Sequence, residues 1–301
     1  MVESAPQSRS QRTSPLIIFI HLPKTGGTTM RSVLEQQYGG AQIFKVPPPS
    51  ATGKQKIDDF SKLPPEERDT FKVVYGHFDY GAHIGLEETN FTYFTILRNP
   101  VDRVISHYYF VKQRTNHRLH KNVVSEDMSL QEYATSGLTK EVDNHQTRVL
   151  IGKEGVTPAF GACPSEFLER AKQHLQNEFA VVGTSERFDE TLLVLQEVLG
   201  WSIPFYVSRN ITKSRPKSDA LPPDVVEAIS KYNQLDLELH RYANERLDEL
   251  IATRIQFFKV KLFLFRLFNN LYSRFYDLSR SFPEGLQAQL DANFFGEDHL
   301  L

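Results

Sequence analysis

The chain has 301 residues, 40% hydrophobic and 24% charged, a balance that excludes a wholly disordered polymer and allows one large or two small domains. Lys and Arg number 35 against 37 Asp and Glu, so the net charge is −2, which argues against a dedicated nucleic-acid binder. A single cysteine, Cys163, excludes an intramolecular disulfide and a cysteine-pair zinc site, and beside Pro164 it reads as a small buried residue.

Residues 1–14, rich in Ser, Gln and Arg without periodicity, read as a disordered leader with no secretory signal. No run is long enough to span a bilayer, so the expected location is cytoplasmic, at most peripheral at a membrane. Residues 16–20, LIIFI, have the pattern of a strand buried on both faces. The turn PKTGGTT follows, then a helix carrying Met30, Val33 and Leu34 that Gly39 and Gly40 end. Further strands are predicted over 42–46, 71–75, 91–97 and 179–183. Asn99 should cap a helix with Pro100 in its first turn, and more helices are predicted over 129–136, 141–150, 164–176, 187–199 and 224–252. This alternation predicts an α/β fold of P-loop type, a parallel sheet flanked by helices on both faces.

A main domain is expected over 15–253 and a basic, amphipathic helical extension over 254–301. Between Arg254 and Arg280, six Lys or Arg face one acid, Asp277. Phe257, Val260, Leu264, Leu267, Leu271, Phe275 and Leu278 recur there at helical spacing. Such a helix suits a membrane interface, or packing on the domain or in a homodimer.

A strand, a glycine-containing turn and a helix form a phosphate site, because backbone N–H groups and the helix dipole face the anion. Gly26 and Gly27 permit close approach, Lys24 adds an ammonium, and Thr28 or Thr29 a hydroxyl. The order G-x-x-x-x-G-K-[ST] of nucleotide-triphosphate loops is absent, since Lys24 precedes the glycines. The 91–97 strand ends in Arg98, where a Walker-B strand carries a magnesium-binding Asp. The turn therefore reads as an anion site that needs no metal. Arg98 and Ser106, about two helical turns later, form a second candidate anion cradle. Taken singly, each is as well explained as a plain turn or a surface arginine; together they favour anion binding.

FIHLPKTGGTT followed by ILRNPVDRVISHYYF resembles the sulfotransferases that use 3′-phosphoadenosine 5′-phosphosulfate (PAPS), specifically the Golgi type that modifies carbohydrates, with the heparan sulfate 2-O-sulfotransferases as the nearest group. VVYGHF, FAVVGTSERFDETLLVLQEVLGW and RNITKSRP extend the likeness over roughly residues 16–251. The resemblance implies that Lys24 contacts the bridging oxygen of the leaving 5′-phosphate, with Thr25, Gly26, Gly27, Thr28 and Thr29 around the phosphosulfate. It implies that Arg98 and Ser106 hold the 3′-phosphate, and that a loop with Asn210, Thr212, Lys213 and Arg215 closes over the nucleotide. His77 falls where the family has its catalytic base; His83 and His21 are the nearest rivals. Two departures stand out: Tyr75 occupies the place of a second histidine that relatives often carry, and the Golgi-type membrane anchor is not seen.

The expected reaction is in-line sulfuryl transfer from PAPS, the donor co-substrate, to an acceptor hydroxyl, with imidazole taking the proton. The acceptor is expected to be a carbohydrate, a glycolipid or a small hydroxylated molecule. Residues 112–122, KQRTNHRLHKN, form either a solvated face or an anionic-acceptor grip through Arg114, Arg118 and Lys121. Asn144, Gln146 and Arg148 offer sugar hydrogen bonds or a polar helix face, and Trp201 a stacking platform or a core residue. The alternatives are an ATP-dependent kinase of P-loop type and a non-catalytic nucleotide- or glycan-binding module.

Overall fold

The computed structural model describes residues 14–47, 57–84, 90–208 and 216–290. Residues 1–13 of the expected leader, and Asn210, Thr212, Lys213 and Arg215 of the expected closing loop, lie outside the described residues. β1 (Leu16–Ile20) leads to α1 (Gly27–Tyr38), β2 (Ile43–Val46), the short helices α2 (Ile57–Ser61) and α3 (Pro65–Arg68), and β3 (Val73–Gly76). After β4 (Phe91–Leu97) come α4 (Pro100–Gln113), α5 (His120–Ser125), α6 (Leu130–Thr135), α7 (His145–Ile151) and α8 (Glu166–Asn177). β5 (Phe179–Thr184) is followed by α9 (Phe188–Leu199), α10 (Pro223–Lys231), α11 (Gln234–Arg254), α12 (Phe258–Ser279) and α13 (Glu284–Leu290).

The strands form one sheet in the order β2-β3-β1-β4-β5, with all four neighbouring pairs parallel. β1 is central, which accounts for its unbroken apolar run. Leu16, Ile18 and Ile20 face a core with Phe167 and Ala171 of α8 and Leu239 of α11. Ile17 and Phe19 face a second core with Met30 and Val33 of α1 and Leu192 of α9. Helices thus cover both faces, as the alternating pattern predicted. A third apolar cluster joins α4, α5, α6 and α10 through Val104, Val123, Tyr133 and Ile229. The connections leaving β1 and β4 run toward opposite edges of the sheet, so the C-terminal ends of these two strands form the switch point where such sheets bind ligands.

Three elements differ from their sequence expectations. β3 begins at Val73 rather than residue 71, because Phe71 packs edge-on against Phe44, with ring centroids 5.5 Å apart. The helix expected over 224–252 is two helices, broken where buried Asn233 gives its Nδ2 to the carbonyls of Val142 and Ile229. The helix expected over 141–150 begins only at His145, since Asn144 takes a left-handed conformation (φ 44°). Its Oδ1 accepts from the N–H groups of Leu235 and Asp236 at 2.9 and 3.2 Å. Asp236 in turn accepts from the backbone of Gln146 and Thr147 and from the Thr147 hydroxyl, at 2.8–3.0 Å. The two helices therefore cap each other's N-termini, which local sequence does not signal.

Candidate active site

The turn after β1 contains two left-handed residues, Lys24 (φ 71°) and Gly26 (φ 91°). Glycine takes this conformation freely; lysine does not. Lys24 is held by its own carbonyl, which accepts from Arg98 Nη1 at 2.9 Å. Thr25 is fully buried and its hydroxyl donates to the Leu22 carbonyl at 2.8 Å, so that hydroxyl shapes the turn from inside instead of facing a ligand. Gly26 precedes α1, whose first turn has neither a side-chain cap nor an acidic residue. The positive end of the helix dipole, with Gly27, exposed Thr28 and buried Thr29, is therefore suited to an anion.

Arg98 is seated by a residue expected elsewhere. Gln146 is fully buried and brackets the Arg98 peptide: its Oε1 accepts from the Arg98 N–H and its Nε2 donates to the Arg98 carbonyl, both at 2.9 Å. Asn99 caps α4 through Val101 and Asp102, and its own N–H donates to Glu186. The Ser185 hydroxyl lies 2.9 Å from the Thr25 carbonyl and 3.2 Å from that of Leu97, linking the ends of β1, β4 and β5. Ser106 is buried on α4, one turn before Phe110, whose ring lies 4.1 Å beneath the Lys24 ammonium. The shared i, i+4 spacing puts Ser106 on the α4 face turned toward the lysine.

β1 and β3 run in register, Ile20 opposite Gly76, so the next residues, His21 and His77, emerge side by side. Their ring centroids are 4.2 Å apart. His21 also lies over Gly27, where a Cβ would fall 1.7 Å from its Nε2; only glycine admits the ring there. Tyr75, two residues before His77, also lies near His21, with ring centroids 6.3 Å apart. Burial holds the His77 imidazole down to about 4, against the opposing pull of the Glu141 carboxylate and a hydrogen bond to the His21 backbone. Burial, then His77 and Lys24, hold His21 well below its ordinary value. His77 is therefore neutral near pH 7. With one ring nitrogen donating to the His21 carbonyl, the other is an acceptor.

Beside this pair lies a cavity of ≈ 340 Å³ lined by Asp79, Arg118, Lys140, Glu141 and His145 among others. Glu141 bonds His107 Nε2 at 2.6 Å and Arg118 at 2.7 Å. Burial raises its affinity for a proton, yet His107, His145 and Arg118 hold it well below the usual carboxylate range. Burial and then Arg103 push His145 down to about 3, and burial pushes Asp79 up to about 6. The cavity lining thus combines Arg118 and Lys140 with one neutral histidine, His145, and a carboxyl, Asp79, that titrates at about 6.

Several expected acceptor residues are placed differently. Arg148 is buried and bonds Asp143 and the carbonyls of Gly155, Pro158 and Ala159, so its guanidinium serves the interior. Asn144 is the helix cap described above, and Gln146 the clamp on Arg98. Arg118 and Arg148 both line the cavity, whereas Lys121 is exposed on α5 and Arg114 lies 5.7 Å from the Phe110 ring. Trp201 is 7% exposed and its Nε1 donates to Tyr38 at 2.6 Å, which makes it a core residue. His83, the rival base, stacks on Phe91 at 4.4 Å and bonds Tyr93, toward the opposite end of β4 from Arg98. Sequence reasoning missed Ser185, Phe110 as a partner of Lys24, and Glu141. Only Phe110 carried a signal, its spacing from Ser106.

A parallel sheet whose switch point holds a glycine turn with a lysine and a strand-end arginine, with imidazoles alongside, defines a P-loop-like α/β protein. Its family is narrower than that class: residues 12–243 match the Sulfotransferase family, and the chain belongs to it. The chain is 24% identical over 198 residues to heparan sulfate 2-O-sulfotransferase hst-2 of Caenorhabditis elegans, covering 61% of this chain and 60% of that protein. It is 26% identical over 293 residues to heparan-sulfate 6-O-sulfotransferase 2 of Danio rerio, covering 80% and 59%. It is 25% identical over 161 residues to galactose-3-O-sulfotransferase 2 of Homo sapiens, covering 52% and 39%. The chain spans between 39% and 60% of the length of these relatives.

Proposed function

We propose that this protein is an O-sulfotransferase that moves a sulfuryl group from PAPS to a hydroxyl of a carbohydrate. The observation that carries the reading is the 2.9 Å bond from Arg98 to the Lys24 carbonyl, a closeness of the two elements that supports their sharing one doubly phosphorylated donor. In the reaction, an acceptor oxygen bonds to sulfur while its proton passes to the acceptor nitrogen of His77. The bond from sulfur to the bridging phosphate oxygen breaks, and the 3′,5′-bisphosphate leaves with that electron pair. Lys24 and the α1 N-terminus neutralise the charge that develops there. Arg98 and the α4 face with Ser106 hold the 3′-phosphate. The acceptor occupies the cavity beside His77, where Arg118 and Lys140 favour a sugar bearing carboxylate or sulfate. The names of all three relatives, which specify sulfation of heparan sulfate or galactose, support a carbohydrate acceptor.

A kinase reading is weaker because β4 runs into Arg98 where a magnesium-binding Asp would stand. The deciding experiment incubates the protein with radiosulfur-labelled PAPS and a panel of heparan-type polysaccharides and terminal galactosides. Label incorporated into a glycan supports the assignment. Transfer of phosphate from ATP in place of sulfate from PAPS would overturn it.

A further inference from the structure

Helix α12 is apolar on two opposite sides. On the inner side Phe258, Leu262 and Phe265 join the core that includes Trp201 and Leu247, and Asn269 accepts the Tyr206 N–H at 2.8 Å. On the outer side Val260, Phe263, Leu267, Phe268, Leu271 and Leu278 are each 47–66% exposed. These outer residues recur at spacings of three, four and seven, so they form one stripe along the helix. Exposed apolar residues scattered singly need no explanation; a continuous stripe does. Phe257, 80% exposed, extends the stripe at the helix N-terminus in a left-handed conformation (φ 53°).

We propose that this outer face docks in the interface of an anionic lipid bilayer, with α12 lying in the membrane plane. Charge selects this occupant. Lys259, Lys261, Arg266, Arg274 and Arg280 stand on or beside the helix against one acid, Asp277. Lys261 and Arg266 contact Glu197 and Asp189 of α9, while Arg274 lies within the outer stripe, one turn before Leu278. At a bilayer surface, Lys and Arg stems lie along the apolar layer and their heads reach lipid phosphates. Pairing with a second copy would instead seal Arg274 of both chains into an apolar seam, an uncompensated cost. Among the described residues no helix is long and apolar enough to cross a membrane, so an in-plane position is what α12 can adopt.

The test is flotation of the full chain with vesicles of phosphatidylcholine alone and with added phosphatidylserine. The chain floats with the anionic vesicles and at least about tenfold less with the neutral ones. L267E/L271E, which alters only outer positions, lowers flotation by at least about tenfold while thermal unfolding and nucleotide binding stay unchanged. Arg274→Glu, a single exposed change that keeps the apolar stripe, lowers binding to anionic vesicles about tenfold or more and leaves the neutral baseline where it was. A chain that stays with the pellet beside anionic vesicles overturns the proposal, as does equal flotation of L267E/L271E. A dimer in light scattering that L267E/L271E dissolves, without vesicle binding, overturns it in favour of a second copy.

Discussion

The Lys24 carbonyl and the Arg98 guanidinium meet at 2.9 Å across the ends of two adjacent parallel strands. Through this bond the guanidinium at the end of β4 supports the backbone of the lysine turn after β1. Lys24 sits in a left-handed conformation that costs a non-glycine residue about 1–2 kcal/mol, and a charge-assisted hydrogen bond at its carbonyl can offset that. Arg98→Ala therefore weakens nucleotide binding twice over. Its affinity for adenosine 3′,5′-bisphosphate falls about 10–100-fold, and its affinity for AMP falls much less, because only the first ligand loses a phosphate contact. Titration calorimetry with both nucleotides separates the two effects. An equal loss for both would remove Arg98 from reading the 3′-phosphate.

Gln146 offers a cleaner probe of the same arginine. Gln146→Leu leaves the Arg98 N–H and carbonyl without their side-chain partners, at a cost of about 1–3 kcal/mol. The expected signature is a weaker donor KM with an unchanged acceptor KM, together with a lowered unfolding midpoint. A raised acceptor KM with intact donor binding would instead return Gln146 to the role of a sugar ligand.

His77→Ala lowers kcat about 10²–10⁴-fold and leaves bisphosphate binding unchanged. The pH dependence is more diagnostic. Burial sets the His77 imidazole at about 4, so the ring is neutral across the physiological range and becomes protonated, and inactive as a base, only as the pH falls through that value. The acid limb of kcat/KM, which reports the free enzyme, should accordingly lie near pH 4 and not near 6.5. A limb at 6.5 would show that His77 is solvated in the free enzyme.

Gly27→Ala drives a methyl group into the His21 ring, with a Cβ 1.7 Å from Nε2, whereas Gly40→Ala meets nothing within 4 Å. The first substitution should cost about 1–3 kcal/mol of stability and displace the ring beside His77, so turnover falls as well. The second should be silent in both assays. Denaturant unfolding and single-turnover rates on the pair check this, and a silent Gly27→Ala would mean that His21 moves without consequence.

The reciprocal caps between α7 and α11 make Asn144 and Asp236 a coupled pair. Asn144→Ala and Asp236→Ala should each destabilise by about 1–2 kcal/mol or more. Their double variant should fall short of the sum, because each cap depends on the placement of the other helix. Unfolding of the four proteins gives the coupling directly. Strict additivity would mean that the caps act independently.

The central strand, the glycine turn, the Asn99 cap and the alternation of strands with helices were all legible in the chain, because each is a local pattern. A run of five apolar residues rich in β-branched and aromatic side chains reads as a strand covered on both faces, and a lysine and two glycines before a helix read as an anion site from their order. The two motifs that resemble sulfotransferases were legible for the same reason, since each is a continuous stretch around one strand end. The packing around the residues named for the acceptor was not. Asn144 and Gln146 have the side chains of sugar ligands, and nothing nearby in sequence reveals that the N-terminus of α11 and the Arg98 peptide, in other segments, take up their hydrogen bonds. Trp201, which its neighbours Leu199 and Gly200 already favoured as core, is indeed buried beside Phe94, and Tyr38, 163 positions earlier, accepts from its indole nitrogen.

Local order in the chain therefore determined the strand–turn–helix units and the residue types of the lysine turn and the strand-end arginine. Tertiary structure alone decided that the lysine turn and the arginine meet at 2.9 Å, that the rings of His21 and His77 lie side by side, and that α12 keeps an apolar side outward. The physical reason is range. Helix, strand and turn preferences act over a few residues, whereas a site at the switch point of a parallel sheet is assembled by strand register and crossover direction, which bring together side chains far apart in the chain.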